Sequence, residues 1–227
     1  MLIRYFIILS MIRILFKSIS IIPWPMLRFL SWILGHLAIL LNVSAYKVTK
    51  KNLIYCGFDD EKIIKQSFLY TMELLFEYPY IWGNPNNYKK LVENPEDIVQ
   101  DENPKIFMTM HMGCVDVMLF LISEKNKGIN ILYTPAKNKN IEKATKESRS
   151  EKGAKLIPAN MSGIKSLLSK FNQKEDFVIA PDLVPHTNKE TYSYFFNQEC
   201  LTVDIIEKLS YRAVSYTHLT LPTRLLV

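Results

Sequence analysis

The sequence predicts an α/β fold: a mostly parallel central sheet flanked by helices, preceded by an N-terminal apolar membrane-anchoring helix. Short strand-like runs begin near residues 105, 129, 155 and 176 and alternate with helical stretches of roughly ten residues, the pattern of parallel β-α-β units. Residues 2 to 22 are almost wholly apolar. A chain of 227 residues, 48% of them hydrophobic, holds one sizeable α/β domain and a short appendage, not two full domains. The predicted division is an anchoring segment over 1–42, the domain over 43–212, and a separate tail over 213–227.

Within residues 2 to 22 the polar interruptions are Arg4, Arg13 and Lys17. Arg13 and Lys17 share a helix face, which is costly at the centre of a bilayer. Either a tilted span with snorkelling basic residues or an amphipathic helix lying in the interface fits this pattern. Pro23-Trp24-Pro25 breaks the helix, and Met26 to Leu41 starts another apolar one, with Trp24 and Trp32 suited to a headgroup region. A core helix of the domain is the alternative there, and His36 reads as a packed or interfacial residue. Lys47, Lys50 and Lys51 then keep the following segment cytoplasmic by the positive-inside rule.

Asp59 or Asp60 caps a helix whose apolar positions Ile63, Ile64, Phe68, Leu69, Met72, Leu75 and Phe76 recur at helical spacing. Pro79 marks its expected end, and Glu73 and Glu77 read as a solvated face. Residues 84–87 and 94–104 are loop-like. Beyond residue 105 the expected elements are a strand to Met110, a helix over Val115 to Ser123, a strand over Ile129 to Tyr133 and a charged helix over Asn140 to Lys152. A strand over Lys155 to Pro158, a helix capped by Ser162, a buried strand over Asp176 to Ala180 and a helix starting at Asp204 complete the series.

The formal charge of +6 and pI near 9.0 favour an anionic partner. The apolar N-terminus makes that a membrane surface rather than nucleic acid, for which no aromatic-and-basic signature appears. Cys56, Cys114 and Cys200 show no paired spacing, which argues against a disulfide framework or structural zinc and for a reducing compartment. His111, Cys114 and Asp116 lack a second cluster at usual metal-ligand spacing. No metal and no cofactor is expected. Residues 215–223 read like the translation of a transposase sequencing adaptor. Residues from about Val214 are therefore expected to be extraneous, with the natural sequence interrupted near Arg212.

The chemistry concentrates in Lys105 to Asp116, K-I-F-M-T-M-H-M-G-C-V-D. On one regular helix His111 and Asp116 would point about 140° apart. With a strand ending at His111 and a helix starting near Cys114, a turn at Gly113 is expected to bring the carboxylate against the imidazole. That arrangement fixes the tautomer and leaves the other ring nitrogen as a base toward a hydroxyl. Arg149 is the one arginine between Arg28 and Arg212, and its planar fork suits phosphate or carboxylate. The bland alternatives are a histidine at a strand end beside a solvated aspartate, and a surface arginine in a charged helix.

The H-x4-D stretch resembles the signature of the bacterial lipid A late (lauroyl/myristoyl) acyltransferases within the glycerolipid acyltransferase superfamily. Looser matches follow in the family's order: Lys51-Asn52-Leu53 with Phe58, Tyr133 to Asn138, Arg149 with Gly153, Pro181-Asp182, and Tyr194-Phe195-Phe196 with Thr202. The departures are Leu183 after Pro-Asp, and Asn197-Gln198 where the family has glycine. The resemblance implies a membrane-associated O-acyltransferase taking a fatty acyl group from acyl carrier protein to a hydroxyl of a lipid A precursor, at the cytoplasmic face of the inner membrane. It implies His111 and Asp116 as the catalytic pair and Arg149, Asn138 and Asp182 as substrate-binding candidates, with Asp182 also placed to hold its loop. Three alternatives stay open: a lysophospholipid acyltransferase of the same superfamily, a catalytically inactive membrane-attached relative, and an acyl-enzyme route through Cys114.

Overall fold

The computed structural model describes residues 2–92, 105–182, 191–203 and 217–219. Four helices lead: α1 (Leu2–Ile21), α2 (Trp24–Leu40), α3 (Ser44–Tyr55) and α4 (Glu61–Gly83), then a 3-10 turn at Pro85–Lys90. Alternating strands and helices follow: β1 (Ile106–Met108), α5 (Val115–Lys125), β2 (Asn130–Tyr133), α6 (Lys139–Glu151), β3 (Lys155–Pro158), α7 (Met161–Asn172) and β4 (Phe177–Ile179). A hairpin of β5 (Tyr192–Phe195) and β6 (Gln198–Leu201) and the short β7 (Thr217–Leu219) complete the described elements.

The main sheet runs β3-β2-β4-β1-β7, and each of its pairings is parallel, so the α/β architecture with a parallel sheet holds. Successive strand residues point to opposite faces. Phe107, Ile131 and Val178 face α4 and α5, while Ile106, Phe177 and Ile179 face Leu167 of α7. Helix α5 is buried from Val115 to Ser123, as expected of a helix apolar on nearly every side. Thr217–Leu219, which the sequence reading sets outside the domain, pairs with β1 at the sheet's end. The helix expected from Asp204 lies outside the described residues, as does the loop over 94–104.

Helix α4 is the spine on which α1, α2 and α3 pack. Asp60 caps it, accepting from the Lys62 N–H at 2.7 Å. It does not end at Pro79 but continues to Gly83. The carbonyl that Pro79 leaves without a helical donor belongs to Leu75, a residue 62% exposed, while Tyr80 and Ile81 beyond the proline are fully buried. Packing of that last turn outweighs one lost helix bond. The same packing corrects the reading of Glu73 and Glu77, which are buried inside the helical layer rather than solvated. Arg28 of α2 reaches Glu73 at 3.4 Å. Residues 85–90 are a 3-10 turn rather than plain loop, and Asn160, not Ser162, caps α7 by accepting from the Gly163 N–H.

Among the described residues no single helix is long and apolar enough to cross a membrane. Ser10–Ile21 and Trp24–Leu40 pass that test only as a pair, bent by 108°. Helix α1 is held against the domain: a Cβ on Gly83 would lie 2.0 Å from the Phe16 carbonyl oxygen, so the glycine permits the backbones to touch. Arg13 also forks onto Glu147 of α6. Helix α2 buries Leu27, Ser31 and Gly35 against its neighbours and leaves Phe29, Leu30, Trp32, Ile33 and Leu37 exposed. His36 lies on this helix, its ring 4.2 Å from that of Trp32.

Candidate functional site

Strands β1 and β4 are adjacent, parallel and in register, with Met108 opposite Ile179. The loops that leave their carboxyl ends therefore run side by side, at the edge where open α/β sheets gather ligands. His111 lies three residues beyond β1 and Asp182 three residues beyond β4. The equal spacing brings them together. Asp182 Oδ1 is 2.8 Å from His111 Nδ1, and its Oδ2 accepts the His111 backbone N–H at 2.6 Å. The pair is partly open to solvent, with side chains 39% and 29% exposed.

Burial alone would raise the Asp182 carboxyl. The hydrogen bonds from the His111 ring and backbone outweigh it and hold the group below the usual carboxylate range. An ionised carboxylate only accepts, so Nδ1–H is the donor of this hydrogen bond, and the neutral imidazole then has its lone pair on Nε2.

Gly113 supplies the turn into α5 with φ of +92°, a conformation glycine adopts without penalty. The turn does not deliver Asp116 to the imidazole: among the described residues no hydrogen bond joins them. Asp116 sits in the first turn of α5, fully buried, and points toward α4 and α6. Its Oδ1 accepts from Arg149 Nε at 2.8 Å and Nη2 at 2.7 Å, and its Oδ2 from the Trp82 indole N–H at 2.5 Å. A buried carboxylate needs a cation and donors to replace water, and this pocket provides both. The expected His111–Asp116 contact is thus replaced by His111–Asp182.

Arg149 is correspondingly engaged by Asp116, with its side chain 15% exposed, rather than presenting an open fork to an anion. Asn138 caps α6 by accepting from the Asn140 and Ile141 N–H groups. It lies after β2, at the same carboxyl edge as His111. Trp82 went unnoticed in the sequence; an indole on the spine helix carries no motif that would mark it.

Cys114 is buried immediately before α5 and lacks a partner at disulfide distance. Burial pushes its thiol well above the ordinary range, and Asp116 and Glu77 push the same way, so the thiolate a nucleophile needs is disfavoured. Burial likewise raises Tyr78, with Cys114 and Asp116 adding to it. Among the described residues no three His, Cys, Asp or Glu side chains are grouped so as to hold a metal ion.

The arrangement can move a proton: a partly exposed imidazole with one nitrogen anchored and the other available, on a loop fixed from below by a buried ion pair. The family model for bacterial lipid A biosynthesis acyltransferase matches residues 1–222. No curated protein matches the chain significantly.

Proposed function

Because the chain belongs to the bacterial lipid A biosynthesis acyltransferases, we propose that it transfers a fatty acyl group from an acyl carrier protein thioester to a hydroxyl of a lipid A precursor. His111 is the general base of this reaction. The observation that carries the reading is the 2.8 Å contact between His111 Nδ1 and Asp182, which leaves Nε2 as the acceptor-facing nitrogen. Nε2 takes the hydroxyl proton as the oxygen attacks the thioester carbonyl. A C–O bond forms, the C–S bond breaks, and the proton passes from the imidazolium to the departing thiolate. Asp182 holds the tautomer and stabilises the transient imidazolium. Asp116 acts one step back, neutralising Arg149 beneath the turn.

The reaction is placed at the cytoplasmic face of the inner membrane. The exposed apolar side of α2 supports that placement: Phe29, Trp32 and Leu37 would seat in the headgroup boundary while Leu27 and Ser31 remain packed on the domain. A helix lying in the interface agrees with the 108° bend between α1 and α2 better than a straight span does.

The test is transfer of a radiolabelled acyl chain from acyl carrier protein to a lipid A precursor by the membrane-bound protein. His111→Ala is expected to lose about 10²–10⁴-fold in rate, and Cys114→Ala to retain transfer. Full activity in His111→Ala would overturn the assignment, and complete loss in a folded Cys114→Ala would transfer the role to the thiol.

A further inference from the structure

The β5–β6 hairpin carries exposed aromatic residues at and beside its tip. All four residues of β5 are exposed. Tyr194 is 76% exposed, Phe195 62% and Phe196 50%. Its two-residue turn is Phe196-Asn197, with φ of +48° and +58°. Both positions of such a turn sit in the left-handed region that glycine and asparagine adopt readily and phenylalanine does not. Phe196 is thus half-exposed in a backbone conformation that phenylalanine disfavours.

The hairpin is tied to the rest of the chain through the end of α3. Gln198 Nε2 donates to the Tyr55 carbonyl at 3.0 Å, and the Phe196 ring meets Phe58 edge-on at 5.5 Å between centroids. Lys47, Lys51, Ile54 and Tyr55 fall on one side of α3 by helical spacing, and all four are exposed. Lys50, off that stripe, is neutralised by Glu61. Lys47 and Lys51 enter no ion pair among the described residues.

We propose that the hairpin tip and this face of α3 form a docking surface for an anionic phospholipid bilayer, separate from the apolar side of α2. The aromatic rings enter the boundary between headgroups and acyl chains, and the two lysines meet lipid phosphates. Charge decides the occupant. A second copy of the same face would set Lys47 and Lys51 against their own like charges, whereas an anionic leaflet complements them. The inference goes beyond the acyl-transfer reading and does not depend on it, since vesicle binding is measured without substrate.

The experiment uses the full chain with Tyr194→Cys carrying an NBD fluorophore, in a Cys56→Ser, Cys200→Ser background; Cys114 is buried and stays unlabelled. Phosphatidylglycerol vesicles are expected to shift the emission to the blue and doxyl-labelled lipids to quench it. Phosphatidylcholine vesicles are expected to do neither. Lys47→Glu with Lys51→Glu should weaken partition onto the anionic vesicles by about tenfold or more. Phe196→Gly separates docking from folding: it relieves the left-handed backbone, so the melting temperature should hold or rise while partition falls by about tenfold.

The proposal is overturned by a label that stays water-exposed while the protein co-sediments with phosphatidylglycerol vesicles. It is overturned equally by unchanged partition of Phe196→Gly onto anionic vesicles, or by a Tyr194 label shifted and quenched to the same extent on neutral vesicles. A label shielded without lipid as protein concentration rises would assign the face to a second copy instead.

Discussion

Asp116 and Asp182 are both carboxylates close to the loop that carries His111, and their surroundings separate their tasks. Asp116 is fully buried and shares its oxygens between Arg149 and Trp82. Removing one partner of such a pair strands the other charge in a place water cannot reach, which typically costs about 3–5 kcal/mol. Asp182 is 29% exposed and bonded to the imidazole, so changing it costs little stability and disturbs the proposed base directly. Asp116→Asn and Arg149→Met are therefore expected to lower the melting temperature markedly, with activity falling as the folded fraction falls. Asp182→Asn should melt near the parent and lose about 10²-fold in the acyl-transfer rate. Circular dichroism melts beside single-turnover rates separate the cases, and a stable but inactive Asp116→Asn would return Asp116 to the catalytic pair. The pH dependence has a definite sign. The Asp182 carboxyl is held below its unfolded value, so its stabilisation is present above that value, near 3.9. It is lost as pH falls through the lowered folded value. His111 stands out in the sequence because it follows a buried strand-like run and begins the H-x4-D stretch. Its partner does not, because the neighbouring of β1 and β4 follows from sheet order, which no local pattern encodes.

Elements were largely legible because their periodicities differ: the strands of the parallel sheet are short apolar runs, and α4 repeats its apolar residues every three or four positions. The misread points are those where tertiary contact overrides local preference. Pro79 would end an isolated helix, yet burial of Tyr80 and Ile81 carries α4 onward to Gly83. The same packing hid Glu73 and Glu77, whose spacing is that of a surface face. Gly83 gives this element its sharpest test. A methyl there would sit 2.0 Å from the Phe16 carbonyl oxygen, a backbone atom that moves only if α1 moves. Gly83→Ala is thus expected to destabilise by about 1–3 kcal/mol despite alanine's better helix propensity, and to expose α1 to protease. Arg13→Ala makes the contrast. Its pair with Glu147 is 49% and 43% exposed, and such surface pairs are worth under about 1 kcal/mol. Limited proteolysis of the two variants should cut α1 early in the first only; equal resistance would mean that α1 does not pack on α4 through this contact.

At the scale of the whole molecule, the helical layer and the sheet divide the labour. The sheet's carboxyl edge presents His111, and the layer around α4 both holds α1 and turns the apolar side of α2 outward. The apolar N-terminus reads in the sequence as a membrane-anchoring segment, and the structure shows how its two helices pack. Which residues of each helix face outward was not legible there, because that depends on packing: α1 lies against α4 and α6 yet exposes Met11, Ile14 and Leu15, and α2 lies against α4 and exposes a longer apolar side that includes Phe29, Trp32 and Leu37. The exposed residues of α2 are therefore the place to test membrane association. Leu30 and Ile33 are 42% and 41% exposed and lie off the buried Leu27-Ser31-Gly35 stripe. Charging them removes little packing, so Leu30→Asp with Ile33→Asp should leave the melting temperature of the detergent-solubilised protein within about 2 °C, since surface changes usually fall within about 0.5 kcal/mol. The same two carboxylates placed in a bilayer interface oppose insertion and face anionic headgroups, so the variant should move from the membrane pellet to the supernatant on fractionation. Retention in the pellet with an unchanged melt would show that α2 is not the principal contact and would shift the weight of membrane attachment onto α1 and the aromatic hairpin.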